Sequence, residues 1–306
     1  MDLKQLRYFV AVAEAGHMTR AAARLGMQQP PLSQQMRALE TRLGCVLFVR
    51  HPKGVTLTAS GEALLADSRR LLEDAAAMER RMRDRAAGRA GALALGFTSS
   101  AAAHAFTPRV LRECRRAYPG IALQITEDHA AGLTEGIATG RLHGGFLRVP
   151  VARPPGLVFE TLLREPVLVA LPVGHPALAE GGPLALRALE HERFLLVRQQ
   201  GAPGLYAQLL ALCERQGFMP AVTQEVDRMM TALNLVAAGE GVTVVPASMR
   251  GAHPEAIAFR PLAEAGLDAP LTLAWREADD DPALRSFVAL VRSAVRAEAA
   301  VAEPLR

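Results

Sequence analysis

GHMTRAAARLGMQQPPLSQQMRALETRLG, residues 16–44, divides at Gly26 into two short helical segments. The first runs from Thr19 to Leu25, is rich in alanine, and opens on Thr19, a hydroxyl residue of the kind that caps free amide groups. Gly26-Met27-Gln28 forms the turn. The second segment opens at Gln29, with Pro30 and Pro31 in the first turn, where a missing N–H is tolerated. It closes at Gly44, which suits a left-handed C-terminal cap. Leu32, Met36, Leu39 and Leu43 recur at i, i+4, i+7 and i+11 and make one apolar face, with Ser33, Gln34, Arg37 and Arg42 opposite. This pattern predicts a helix-turn-helix whose second helix enters a DNA major groove N-terminus first. Alanine-rich helix pairs with glycine turns also occur in plain bundles, so the flanking segments must arbitrate.

Upstream, Leu3, Leu6, Phe9, Val10 and Ala13 share one face of an amphipathic helix over 2–15 that would cover the back of the pair. Downstream, CVLFVR (45–50) and VTL (55–57) are short β-type runs around the turn HPKG (51–54). Together they make a wing, with Arg50, His51 and Lys53 at its edge and tip. Such a hairpin follows the phosphate backbone or puts a cation into the minor groove; read alone, it is equally a solvated basic turn. Thr58 caps a helix reaching Asp84 or Arg85. Leu64, Ser68, Leu71, Ala75, Met78 and Met82 lie along it at heptad spacing, a seam for a second copy of the helix or the inner face of a surface helix. AAGRAGA (86–92) follows as a small-residue hinge. Residues 1–58 hold eight basic side chains against three acidic ones, whereas 59–306 hold 27 against 28. The positive field therefore sits with the helix-turn-helix, where phosphates would be neutralised.

From Leu93 strands and helices alternate. Strands are expected at 93–97, 121–127, 144–148, 158–163, 167–172, 194–197, 222–226, 241–246, 257–262 and 271–276. Helices are expected from Thr98 to about Ala117, near 131–139, at 203–216, at 229–239 and from Pro282 to about Ala297. The pattern is that of an α/β domain with mostly parallel sheets. A length of 306 residues suits two or three domains, and 50% hydrophobic residues suffice for substantial cores. No apolar run is long enough to span a membrane and no export signal opens the chain, so a cytoplasmic protein is expected. Cys45, Cys114 and Cys213 lack CxxC spacing and read as free thiols.

Motifs of catalysis are missing. There is no HExxH, no G-x-S-x-G elbow and no P-loop, and Gly239-Glu240-Gly241 is too short for a dinucleotide fingerprint and lies between a helix and a strand in the wrong order. No enzyme, catalytic residue, metal or cofactor is expected. Binding is better supported. Thr98-Ser99-Ser100 follows a buried strand and opens a helix, which makes an anion site or simply hydroxyl caps. Arg148 ends a strand, where α/β sheets carry ligand crevices, and Arg164 lies in the crossover between halves. Either could clasp a carboxylate or be an ordinary salt-bridging arginine.

The run from LKQLRYFVAVAEAGHMTR through LSQQMRALETRLGCVLFVR to LTASGEALL carries an L-x-x-F opening, an AAxxL turn approach, Q-P-x-L-S, LExxLG, LFxR and LTASG. With YPGI (118–121), GHPAL (174–178) and LNLVAAGEGVTVVPAS (233–248), the chain resembles the LysR-type transcriptional regulators over essentially its whole length. Pro30-Pro31 and the VAAGEG…VPAS segment look most like the subgroup that senses aromatic acids such as benzoate and muconate.

The resemblance implies a winged helix-turn-helix over 1–58, a linker and dimerisation helix over 59–88, and a periplasmic-binding-protein-like effector domain over 89–306. Its lobes would be 91–161 with 267–306, and 162–266. It implies DNA contacts by Gln29, Pro30, Pro31, Ser33, Gln34, Arg50 and Lys53. It places the effector, a small organic anion, near Ser99, Ser100, His129, Arg148, Pro203, Gly204 and Val245, with Arg164 at or near the site. The partners implied are double-stranded operator DNA, the effector, further copies of the chain in a dimer of dimers, and RNA polymerase. The rival readings are an architectural DNA-binding protein with a vestigial sensor and a solute-binding module.

Overall fold

The structure is a computed structural model and describes residues 1–148, 154–197 and 204–302. It divides into two compact units, Met1–Arg83 and Asp84–Arg306.

The first unit opens with α1 (Leu3–Ala15), α2 (Met18–Arg24) and α3 (Gln29–Leu43). Leu6, Phe9 and Val12 of α1 and Leu32, Met36 and Leu39 of α3 are buried, the i, i+3/i+4 pattern of each helix turned inward. Leu43, the fourth member of the α3 stripe, is exposed, because the helix ends there at the left-handed Gly44 (φ 68°). The cap of α2 is also not the expected one. His17 precedes the helix and its Nδ1 accepts from the Thr19 amide at 3.2 Å, so Thr19 lies inside the helix. The wing is β1 (Phe48–His51) paired antiparallel with β2 (Gly54–Leu57), leaving Pro52-Lys53 as the turn. It is fastened to the helices by the Val55 amide, which donates to the Gly16 carbonyl at 2.9 Å. A side chain at Gly54 (φ 142°) would collide with that carbonyl. α4 (Ala59–Ala86) is capped by the Thr58 hydroxyl, which accepts from the Gly61 amide at 3.0 Å and donates to the Val46 carbonyl. Along its seam Leu64 packs against the core of this unit, while Leu71, Met78 and Met82 are exposed.

The second unit continues with β3 (Ala90–Phe97), α5 (Ser99–Ala102), α6 (Phe106–Ala117), β4 (Gly120–Glu127), α7 (Ala130–Ala138) and β5 (Gly144–Leu147). The single helix expected after Thr98 is broken in two, because the His104 ring caps a fresh start by accepting from the Phe106 amide at 3.1 Å. Then follow β6 (Leu157–Pro172), β7 (Arg193–Val197), α8 (Gly204–Arg215), β8 (Ala221–Val226), α9 (Met229–Ala237), β9 (Thr243–Pro246), β10 (Ile257–Pro261), β11 (Asp268–Arg276) and α10 (Pro282–Ala302).

β6 is one 16-residue strand where two were expected. It runs through both halves: Leu157–Pro166 pairs with β11, and the remainder pairs with β9 and β10. The ladders made by β6 and β11 are antiparallel, while among the described residues β3 runs parallel to β4 and β5, and β7 to β8, so the sheets are mixed rather than mostly parallel. Strand alternation supplies a core on each sheet face. Leu93, Leu95 and Phe97 enter the core shared with α6 and α10, while Ala94 faces the α7 side. Val244 and Val245 likewise enter opposite cores of the other half.

Candidate functional site

In the first unit, α3 presents its N-terminus with Pro30, Pro31 and Gln34 exposed and Gln29 half-buried. Ser33 differs from the expectation of an outward face. It is 8% exposed, and its hydroxyl accepts from the Gln29 side-chain Nε2 at 2.6 Å. Residues four apart share a helix face, so Ser33 steadies Gln29 from below. Arg50 on β1 and Lys53 in the wing turn are exposed. This face offers amide groups that can read base edges and cations that can sit against phosphate.

In the second unit a cavity of about 100 Å³ opens at the C-terminal ends of the parallel strands, where α/β sheets bind ligands. Thr98–Ser100 after β3, Asp128–Ala130 after β4 and Arg148 after β5 form one wall. Val197 at the end of β7, Gly204, Leu205 and Gln208 of α8, Asp227–Met229 between β8 and α9, and Pro246 form the other. Asp268–Pro270 of β11 lie between them.

Of the expected effector residues, the structure brings together Ser99, Ser100, His129, Arg148 and Gly204. Val245 is fully buried and faces the core beneath; its neighbour Pro246 lines the cavity, the consequence of alternation along β9. Pro203 lies outside the described residues. Arg164 is not on the cavity wall. It is exposed and pairs with Asp268 at 2.5 Å, an ordinary salt-bridging arginine.

Arg148 has a different place from a carboxylate clasp. Its side chain is 10% exposed and its Nη2 donates to Glu165, to the Ser100 carbonyl at 3.0 Å and to the Ser248 hydroxyl at 3.3 Å, while Nη1 donates to the Ala269 carbonyl at 3.0 Å. Glu165 also accepts from the Ser248 amide and hydroxyl at 2.6 and 2.9 Å. Burial pulls the Arg148 guanidinium below its usual value, and the Glu165 charge opposes that pull. Glu165 sits on β6 and Ala269 on β11, the strands that cross between halves, so this knot ties Ser100 on one side to Ser248 on the other. At the mouth, Arg228 reaches Glu127 at 2.8 Å.

Sequence reasoning missed Asp128, Gln208, Asp227 and Glu165. Asp128 and Asp227 follow directly on β4 and β8, so the strand-end rule that singled out Arg148 would have found them. Gln208 and Glu165 carry no comparable signal.

Residues 3–62 match the profile of bacterial regulatory helix-turn-helix proteins of the lysR family, and residues 86–296 match the LysR substrate binding domain. The chain belongs to the LysR family. It is 39% identical to the HTH-type transcriptional regulator YnfL of Escherichia coli (strain K12), over 97% of this chain and 99% of that protein. To AlsR of Bacillus subtilis (strain 168), another HTH-type transcriptional regulator, it is 33% identical over 94% of each. Among solved structures, the LysR family regulator CbnR superposes with a TM-score of 0.87 at 32% identity, covering 95% of this chain and all of that one. CbnR has also been solved in full length with its target DNA. This LysR protein is thus a transcriptional regulator with a helix-turn-helix head and a two-lobed effector-binding domain. Among the described residues no helix is long and apolar enough to cross a membrane, and no group of three or more His, Cys, Asp or Glu is placed to hold a metal ion.

Proposed function

We propose that the chain is a cytoplasmic, non-catalytic regulator that grips operator DNA of a metabolic operon and changes its grip when a small molecule fills the cleft. The observation that carries this reading is the pairing, in one chain, of an exposed polar helix N-terminus beside a basic wing with a separate cavity at strand ends. In this reading Gln29 and Gln34 read base edges, Pro30 and Pro31 shape the leading turn, Ser33 positions Gln29, and Arg50 and Lys53 neutralise phosphates. Residues 1–58 form the reading head, 59–88 the rod that pairs two copies, and 89–306 the sensor. Lobe 91–161 with 267–306 closes on lobe 162–266.

The exposed apolar seam of Leu71, Met78 and Met82 supports a paired rod. Two such dimers would assemble into a homotetramer spanning a divided site, and bending the DNA between the half-sites costs a few kcal/mol. Effector acts only to the extent that it binds one arrangement better than the other, and RNA polymerase gains or loses access accordingly. Ser99, Ser100, His129 and Gly204 are the wall residues for effector, with Arg148 as the group that sets the wall.

The test is fluorescence anisotropy with the intergenic DNA upstream of the chain's own gene. Binding is expected to weaken steeply with salt and to change on adding effector. A salt-insensitive or absent interaction would sink the reading.

A further inference from the structure

The wing of the first unit is held in two ways. Leu47, Phe48 and Val55 lie in the core of that unit, and the Phe48 ring is centred 5.2 Å from that of Phe9. Apolar packing is non-directional, so it keeps the hairpin on the unit without fixing its tilt. Hydrogen bonds supply the direction. The Val55 amide donates to the Gly16 carbonyl, and Thr58 holds the base of the wing, its amide donating to the Leu47 carbonyl at 3.0 Å and its hydroxyl to the Val46 carbonyl at 2.7 Å. Toward α3 the tie is one side chain. Glu40 Oε1 accepts from the Leu47 amide at 2.9 Å and from the Phe48 amide at 3.2 Å. Among the described residues no other hydrogen bond joins α3 to residues 46–57. A carboxylate on two successive amides forms the stronger, charge-assisted kind of bond. Glu40 is also out of keeping with the charge around it. Residues 1–58 hold three acids: Asp2 caps α1, Glu14 pairs with Arg69 at 2.8 Å, and Glu40 stands between the reading helix and the basic wing. An acid there works against phosphate, and its two bonds to the wing are what offsets that.

We propose that Glu40 is a positioning residue for DNA binding. Its carboxylate fixes the wing against α3, so that Arg50 and Lys53 meet phosphate while Gln29 and Gln34 face the bases. This role rests on the reading of Arg50 and Lys53 as phosphate contacts. Arg50 lies two residues beyond Phe48 on β1, and Lys53 lies in the turn that β1 runs into, so a tilt at Phe48 is carried to both cations. The sign of the effect sets positioning apart from plain electrostatics. Deleting a negative charge beside DNA raises affinity and releases no fewer counterions, whereas letting the wing swing away lowers both.

The experiment measures the affinity of the full chain for the intergenic duplex upstream of its own gene over a range of salt concentrations. The parent is compared with Glu40→Ala, with the double variant Arg50→Ala and Lys53→Ala, and with the triple variant. The double variant should lower the slope of log affinity against log salt by about two, one for each phosphate released. Glu40→Ala should lower it by more than half as much and should weaken binding, although it removes an acid. The triple variant should bind like the double one, since the wing then has no cations for Glu40 to place. Glu40→Gln keeps one acceptor oxygen and should fall between Glu40→Ala and the parent. Discrimination among single-base variants of the site should survive throughout, because the residues of α3 that face the bases are unchanged.

Glu40 loses this role if Glu40→Ala binds as tightly as the parent with an equal or steeper slope while the double variant shows its drop, or if the two losses add in full. Base discrimination lost together with the slope would also remove the role, because the whole head would then be disturbed and not the wing. An unchanged slope in the double variant overturns the reading of the wing itself, and Glu40 with it. Far-UV circular dichroism and the melting of each free variant report its folding. If Glu40→Ala does not fold, Glu40→Gln carries the same comparison with a smaller expected drop.

Discussion

In the helix-turn-helix unit, Gln34, Arg37, Arg50 and Lys53 stand exposed, and none has a side-chain hydrogen bond or ion pair among the described residues. Around the cleft, Arg148, Arg164 and Arg228 each face a carboxylate. The contrast follows from what each region must meet. A surface that neutralises phosphate needs cations whose partner arrives with the DNA. At the crossing strands Arg148 and Glu165 are buried together with backbone carbonyls, and these must be satisfied before any ligand comes, whereas the Arg164 and Arg228 pairs are half-exposed. The same residue type therefore reads as a contact in one unit and as a tie in the other.

The largest effect is expected where the tie is cut. Glu165 and Arg148 are both 10% exposed. Glu165→Leu strands a buried guanidinium and should cost about 3–5 kcal/mol. Urea unfolding followed by the fluorescence of Trp275, the chain's single tryptophan, reads this in the sensor unit. The double change Arg148→Met with Glu165→Leu removes both charges and should recover most of the loss. A double variant as unstable as the single one would mean that shape, not charge, holds the crossing strands.

In the reading head the corresponding change should leave stability nearly untouched. Gln34→Ala should cost about 1–3 kcal/mol of discrimination at one operator base pair, seen by anisotropy across single-base variants of the site. A uniform loss over all variants would move Gln34 from base reading to backbone contact and narrow the difference between the units.

Much of this contrast was legible beforehand on the DNA side and little of it on the cleft side, for a physical reason. Pro30-Pro31, Gly44 and the Leu32–Met36–Leu39 stripe are local signals, and they fix α3 where it stands. The strand–helix alternation likewise located nearly every element of the sensor. What sequence could not show is which charge meets which. Arg148 and Glu165 are 17 positions apart, and Arg228 and Glu127 are 101 apart. Only the closing of the sheets brings them together. The long β6 reads as two strands in the sequence for a related reason: Arg164, Glu165 and Pro166 look like a break in the hydrophobic run, but they occupy the crossing between lobes, where polar groups have partners on both sides. Ser33 sits one step of face from where periodicity puts it, and Val245 one step along its strand from where the resemblance puts the cavity wall; packing makes both distinctions.

A smaller effect sharpens the comparison at the wing. Lys53→Ala should lower the slope of log affinity against log salt by about one, equally for all sequences. The measurement is a salt titration of specific and random duplexes. An unchanged slope would place the wing tip away from phosphate and leave Arg50 as the wing's cation.

The smallest effect concerns His104, which lies beside the charged tie. Burial pushes its pKa below the ordinary histidine value; Glu165 pulls it up, Arg148 down, Glu298 up and Arg109 down. The neutral ring is the form that caps α6. Because the folded pKa is depressed, its stabilising contribution is complete above the unfolded value of about 6.5 and is lost as pH falls from there through the folded value. The sensor unit should therefore weaken between pH 7 and acid, and His104→Gln should flatten part of that decline in urea titrations read at Trp275. If His104→Gln leaves the decline unchanged, the acid sensitivity belongs to carboxylates such as Glu298 and not to the ring that caps α6.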